Sequence, residues 1–383
     1  MPMRTAIVTL VAVLALLVAP AAWGQSVSPC AAGCDPLPPL GWEGTNYQAK
    51  RVELPSRRTG AVLRGTVIAP KQGARPHGQP GIVLIPGSMN LAREENYHYA
   101  ARELASHGYV VLGVDPQGVG RSDTFGEQPC EPDQTLSDTE YPYPCKGVPF
   151  QQLANFNDAG ESGIDFLLSA KNPFRALVDA DQIGLAGHSL GSASVGDLQE
   201  SDPRVKAVVG WDTLHADWDG VDQCGEMGWA IGGHVPPDGE YRPLVARVPG
   251  LALVSNLECP TYFYDDDPDN RKRGYTHFRE AGLPSMAVVF QNAAHGDFGQ
   301  LFYTAAGSEE DRKLQRIEWY TRAWFDLFLR RDKRAVDRLL APSVVGQTLD
   351  QMLHTKWRSA VYLPDQGVHC EDLRQCAAIG GTR

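Results

Sequence analysis

The chain has 383 residues, 43% of them hydrophobic and 21% charged, which is too apolar for a disordered protein and enough to bury a sizeable core. Its 35 Lys and Arg stand against 46 Asp and Glu, a formal charge of −11 with no clustered basic stretch. That balance argues against a nucleic-acid partner, whose phosphates need Lys and Arg to neutralise them.

The first residues read as an export signal. Met1–Arg4 carries one positive charge, Ala6–Val18 is an apolar run, and Pro20 breaks it. Small residues then flank a processing point in Ala22-Trp23-Gly24, so residues 1–24 form the expected signal peptide. A retained membrane anchor is the competing reading, but a span wants about 18 apolar residues and no later segment is apolar enough. The expected location is secreted or periplasmic, with no membrane span.

Eight cysteines lie beyond that point, and an even count in an exported chain reads as disulfides. Nearest-neighbour pairing is simplest: Cys30–Cys34, Cys130–Cys145, Cys224–Cys259 and Cys370–Cys376. A metal site is not expected, because no CxxC pair is present and the histidines are scattered.

Residues 25–59 read as an N-terminal extension. After it, short Val-, Ile- and Leu-rich runs alternate with helix-like stretches. The runs are Ala61–Ala69, Gly81–Ile85, Tyr109–Val114, Gln182–Ala186, Val205–Gly210, Leu251–Ser255 and Met286–Gln291. Continuous apolar strands separated by helices, such as Tyr97–His107 and Arg271–Ala281, suit a mostly parallel sheet covered on both faces. The fold class is therefore α/β, in a domain spanning 60–335. Leu314, Ile317, Tyr320, Trp324, Leu327 and Phe328 recur at three- and four-residue spacing, an amphipathic helix whose aromatic stripe belongs to the core. Two irregular stretches, 121–157 and 214–247, interrupt the alternation as insertions, either functional lids or surface decoration. Residues 336–383 read as a C-terminal extension.

The chemistry concentrates in Gly187-His188-Ser189-Leu190-Gly191, a G-x-S-x-G motif directly after the strand Gln182–Ala186. A sharp strand-to-helix turn lifts such a serine out of the sheet and needs glycines where side chains would collide. The Leu190 N–H, at the helix start, would then face negative charge forming on a substrate oxygen. A serine needs a base, expected after the last strand, where Ala293-Ala294-His295-Gly296 supplies His295. His188 and His107 are less suited by position. The second oxyanion donor is expected after Ile85-Pro86-Gly87, at the N–H of Ser88 with Met89 next in line.

The acid that orients the histidine stays open. Glu258 follows the strand Leu251–Ser255 by three residues and ranks first. Asp267 or Asp269, within the run that also holds Asp265 and Asp266, becomes better placed if Thr261–Tyr264 extends that strand. Asp212, ending Val205–Gly210, is a further option.

With these residues in view, the chain resembles a secreted α/β-hydrolase of the esterase and lipase type. Gly108-Tyr109 through Asp115, Gly118-x-Gly120-x-Ser122, Asp181 through Gly191 and Ala294-His295 carry the likeness over about residues 60–330. Trp211-Asp212 adds similarity to cutinase-like polyester hydrolases and dienelactone-hydrolase-like esterases. The resemblance implies a Ser-His-acid triad and hydrolysis of small or polymeric carboxylic esters through an acyl-enzyme on Ser189, without a cofactor. The long 214–247 insertion departs from the cutinase pattern. Two other readings remain. One is a peptidase or amidase with Trp211, Trp218 and Trp229 lining an acceptor pocket; the other is an inactive binding member of the fold.

Overall fold

A computed structural model describes residues 46–71, 78–87, 93–123, 153–212, 214, 244–256, 272–300 and 307–380. The expected signal segment, three of the four expected cysteine pairs and most of both insertions lie outside the described residues.

The first elements are β1 (Tyr47–Pro55), β2 (Val62–Pro70), β3 (Gln79–Ile85), α1 (His98–Ser106) and β4 (Val110–Asp115). Then come α2 (Leu153–Leu168), β5 (Val178–His188), α3 (Leu190–Ser201), β6 (Val205–Trp211), β7 (Gly250–Val254), α4 (Arg273–Glu280) and β8 (Ser285–Val289). The remainder is α5 (Glu309–Phe328), α6 (Ala335–Leu339), β9 (Ser343–Val344), β10 (Gln347–Thr348), α7 (Leu349–Met352), β11 (Ala360–Leu363), β12 (Val368–Cys370) and α8 (Leu373–Gly380).

Ten strands form one sheet in the order β1-β2-β4-β3-β5-β6-β7-β8-β11-β12. From β4 to β8 every neighbour is parallel; β1, β2, β11 and β12 pair antiparallel at the two margins. Parallel neighbours need crossover helices, and helices on both faces explain why β3, β4, β7 and β8 are buried at every position.

Strand alternation sorts the core. Ile82 and Leu84 of β3 point to the face shared with Tyr99 and Leu104 of α1 and Trp324 and Phe325 of α5. Val83 and Ile85 point to the opposite face, with Phe156 and Ile164 of α2, Leu198 of α3 and Phe278 of α4. The stripe read from sequence at Leu314, Ile317, Tyr320, Trp324 and Leu327 is buried in the first of these cores. Helix α5 starts where Ser308 accepts a hydrogen bond from Asp311 N at 3.1 Å, an N-cap followed by three acidic residues in the first turn.

The sheet reaches beyond residues 60–335 on both sides. Strand β1 lies before that range; β11 and β12 lie after it. Helix α2 begins at Leu153, so the last residues of the stretch 121–157 are helical. Cys370 and Cys376 form a disulfide that ties β12 to α8, as nearest-neighbour pairing expects. No described helix is long and apolar enough to cross a membrane.

Candidate active site

Strand β5 ends at His188 and α3 begins at Leu190, leaving one residue, Ser189, to reverse direction. Ser189 does so at φ 55° and ψ −120°, a backbone conformation that L side chains rarely adopt. Strain of this kind costs about 1–3 kcal/mol and persists where the surroundings impose it. Here the surroundings are backbone. A Cβ on Gly187 would strike the Gly191 carbonyl, and one on Gly191 would strike the carbonyl oxygens of Ile85 and Pro86. Ser189 N donates to Trp211 O at 3.1 Å, continuing the β5–β6 ladder one step past His188↔Trp211. The elbow is thus fixed from both flanks before any side chain acts.

His295 opens a short 3-10 turn after β8. Asp297 caps that turn by accepting from Ala294 N at 2.9 Å, and its Oδ2 also receives Lys313 Nζ from α5 at 2.6 Å. The His295 side chain keeps 30% of its surface exposed while its Nδ1 is hydrogen-bonded to Asp212 Oδ2. Asp212 leaves β6 at φ 56°, and its side chain is 2% exposed. Its Oδ1 accepts from Ser255 N at 2.8 Å and Ser255 Oγ at 2.7 Å, while its own N donates to Leu253 O at 2.7 Å. The end of β7 therefore orients a carboxylate presented by the end of β6. Both oxygens are committed, one to the anchor and one to the imidazole.

His188 links the two halves. Its ring lies 4.6 Å from that of His295 and 5.7 Å from Phe298, centroid to centroid. Burial, helped by the neighbouring His295 charge, pushes the His188 imidazole down to about 3, so it stays neutral beside the solvent-reachable histidine. The segment after β3 closes the other side. A Cβ on Gly87 would lie 3.0 Å from His188 Nδ1 and 3.2 Å from Ser189 Cβ, so this backbone approaches the serine as nearly as a glycine allows.

Of the residues singled out in the sequence, Ser189, Leu190, His295 and Asp212 gather around the carboxyl ends of β5, β6 and β7. Ser88, Met89, Glu258, Asp265, Asp266, Asp267 and Asp269 lie outside the described residues. Asp212, a lesser option in the sequence reading, is the carboxylate bonded to His295, because β6 and β7 are adjacent and Ser255 completes its cradle. Trp211 is corrected: it is fully buried, stacks on Tyr97 and Tyr99, and donates its indole N–H to Thr321 Oγ1 at 3.0 Å, so it lines no acceptor pocket. Trp218 and Trp229 lie outside the described residues. Ser255 reads in the sequence as a strand end and Tyr97 as a helix start, and nothing in their spacing marks either for the site. Among the described residues no group of three or more His, Cys, Asp and Glu side chains gathers as a metal site requires.

No family model matches the chain. Over 150 residues it is 33% identical to a thiohydrolase of Arthrinium phaeospermum. That match covers 39% of this chain and 38% of the relative, so the chain spans about two-fifths of that protein's length. The likeness suggests a hydrolase.

Proposed function

We propose that this chain is an exported serine hydrolase of the α/β-hydrolase fold, cleaving carboxylic esters through an acyl-enzyme on Ser189. One observation carries the reading: a serine at a strained strand-to-helix elbow shares the carboxyl end of the sheet with a histidine whose Nδ1 is held by a buried, doubly anchored aspartate. A mostly parallel sheet with helices on both faces supports the fold.

In this mechanism Ser189 Oγ attacks the ester carbonyl while His295 Nε2 takes its proton. Asp212 keeps the proton on Nδ1, which leaves Nε2 as the base, and stabilises the imidazolium that forms. The Leu190 N–H, at the positive end of α3, and the Ser88 N–H stabilise the oxyanion, each such donor being worth about 2.7–4 kcal/mol of barrier. His295 then returns the proton to the leaving alcohol. A water, deprotonated by the same nitrogen, releases the acid.

The relative's name favours a second substrate for the same machinery, a thioester. A thiolate leaves with less need of protonation than an alkoxide, so matched oxygen ester and thioester pairs separate the two substrates by their kcat/KM ratio. The peptidase reading loses support with Trp211 in the core. An inactive scaffold is tested directly: a fluorophosphonate should label the wild-type chain and turnover of nitrophenyl esters should accompany it, both lost in Ser189→Ala. Turnover unchanged in that variant sinks the assignment.

A further inference from the structure

The buried hydroxyl of Tyr97 sits where the loop after β3 meets the elbow. Gly87 N donates to Tyr97 Oη at 3.2 Å, and the same oxygen lies 2.7 Å from His188 Nδ1. A buried O–H needs an acceptor, and among the described residues the one in reach is that ring nitrogen. The bonds therefore run in one direction, from Gly87 N–H to Tyr97 Oη and from Tyr97 O–H to His188 Nδ1. The Tyr97 ring is itself fixed, stacked on Trp211 at 5.8 Å and 19°.

We infer that Tyr97 is a positioning residue that holds the oxyanion-binding backbone after β3 in register with the nucleophile elbow. The inference rests on the serine-hydrolase reading and extends it. Gly87 immediately precedes Ser88, and a glycine imposes little on the peptide that follows it. Tyr97 grips the peptide on the other side of that glycine, Pro86–Gly87, at Gly87 N, and so fixes the point from which the chain continues to Ser88. The other end of the grip is His188, the residue before Ser189. One hydroxyl thus ties the peptide before the expected oxyanion donor to the peptide before the nucleophile, without touching substrate. It also leaves His188 its proton on Nε2 and no lone pair exposed on Nδ1, which keeps that ring neutral 4.6 Å from the imidazole that becomes cationic during acylation.

The test compares an oxygen ester with its thionoester, in which the carbonyl oxygen is replaced by sulfur. Sulfur is larger and a poor hydrogen-bond acceptor, so the thionoester gains little from the oxyanion donors. Misplacing a catalytic group by about 1 Å costs about 10²-fold, so Tyr97→Phe should lower kcat on the oxygen ester by about tenfold to 10²-fold with KM little changed. The loss on the thionoester should be smaller, and the oxygen-to-sulfur rate ratio should fall. Rates are taken per Ser189 titrated by a fluorophosphonate, which removes any loss of folded protein. His188→Gln takes away the ring that Tyr97 reaches but leaves Trp211 to hold the tyrosine, and it carries the same expectation should Tyr97→Phe fold poorly. An unchanged ratio in either variant overturns the positioning role, because a merely structural defect slows both substrates alike. Full turnover by Ser189→Ala on the same pair would instead overturn the underlying reading.

Discussion

Asp212 Oδ2 holds His295 Nδ1 while Oδ1 is spent on Ser255, so replacing the carboxylate by an amide leaves the shape and reverses one donor. Asp212→Asn presents either an N–H or a weaker acceptor to the imidazole and favours the wrong tautomer. The expected loss in kcat is about 10⁴-fold, with the Ser189 side chain still present. Glu258→Gln should cost less. A larger loss from Glu258→Gln, measured on the same nitrophenyl ester, would return the acid to the position that strand spacing favours. His188 makes a second, thermodynamic prediction. Its folded value of about 3 lies below an unfolded value of about 6.5, so between those limits the unfolded chain binds the extra proton. The stability it contributes is complete above about pH 6.5 and is lost as pH falls toward 3. Asp115 opposes this, its carboxyl pushed up to about 7 by burial first and by the Glu94 charge second; its contribution is complete at low pH and is lost as pH rises through that value. Urea unfolding from pH 7 to 4 should therefore show His188→Gln losing less stability on acidification than the wild-type chain. Parallel curves would refute the shift. At this scale Ser189 and its glycines stand out in the sequence because a tight turn needs them, and His295 because it follows the last strand. The sequence does not single out the carboxylate bonded to His295, because Asp212 is oriented by Ser255, a residue 43 positions away that only the β6–β7 pairing brings near.

Two glycines in neighbouring elements separate a tolerant contact from a rigid one. A Cβ on Gly160 of α2 would strike Leu198 Cδ1 of α3, the movable end of a side chain. A Cβ on Gly191 would strike the carbonyls of Ile85 and Pro86, which are fixed by the sheet. Gly160→Ala should cost about 1–3 kcal/mol as overpacking, and much of that should vanish in a background where Leu198→Ala has opened space. Leu198→Ala alone should cost about 2–5 kcal/mol for the cavity it leaves. Gly191→Ala should find no such compensation: α3 must move off the sheet, taking Leu190 N–H and the elbow with it. Thermal unfolding of the wild-type chain, the three single variants and the double mutant gives the cycle, and additivity of Gly160→Ala with Leu198→Ala would show that the two elements do not touch as described. The contrast also explains which elements were readable. Strands β3, β4, β7 and β8 are buried along their whole length because helices cover both of their faces, so they read as apolar runs, and the sequence boundaries of β2 through β8 fall within a few residues of the observed ones. Strand β1 carries Lys50, Arg51 and Glu53 along an edge, and β11 and β12 have only four and three residues, so neither pattern rises above a loop.

The C-terminal segment is joined to the molecule through β8, and its contacts run toward the histidine. Strand β11 pairs antiparallel with Ser285–Ala287, Ser359 Oγ accepts from Val289 N at 2.9 Å, and Gln291 N donates to Met352 O at 2.8 Å. His354 N donates to Val289 O at 2.9 Å. The backbone on which His295 depends is therefore gripped, just before its turn, by residues 352–359. Val361, Leu363, Met352 and Leu353 are fully buried in the core that also contains Trp324 of α5. A chain ending after Leu340 would expose that apolar surface and leave β8 as an open, unpaired edge of a flat hydrophobic strand, a template for intermolecular pairing. Size-exclusion chromatography should find such a chain largely aggregated. Whatever stays monomeric should turn over nitrophenyl esters more slowly than its fluorophosphonate-titrated serine predicts, because the elbow on β5 stays within the retained strands while His295, the proposed base on the far side of β8, loses its support. A monomer with full turnover per titrated serine would mean that β8 and the turn after it hold His295 without the C-terminal strands.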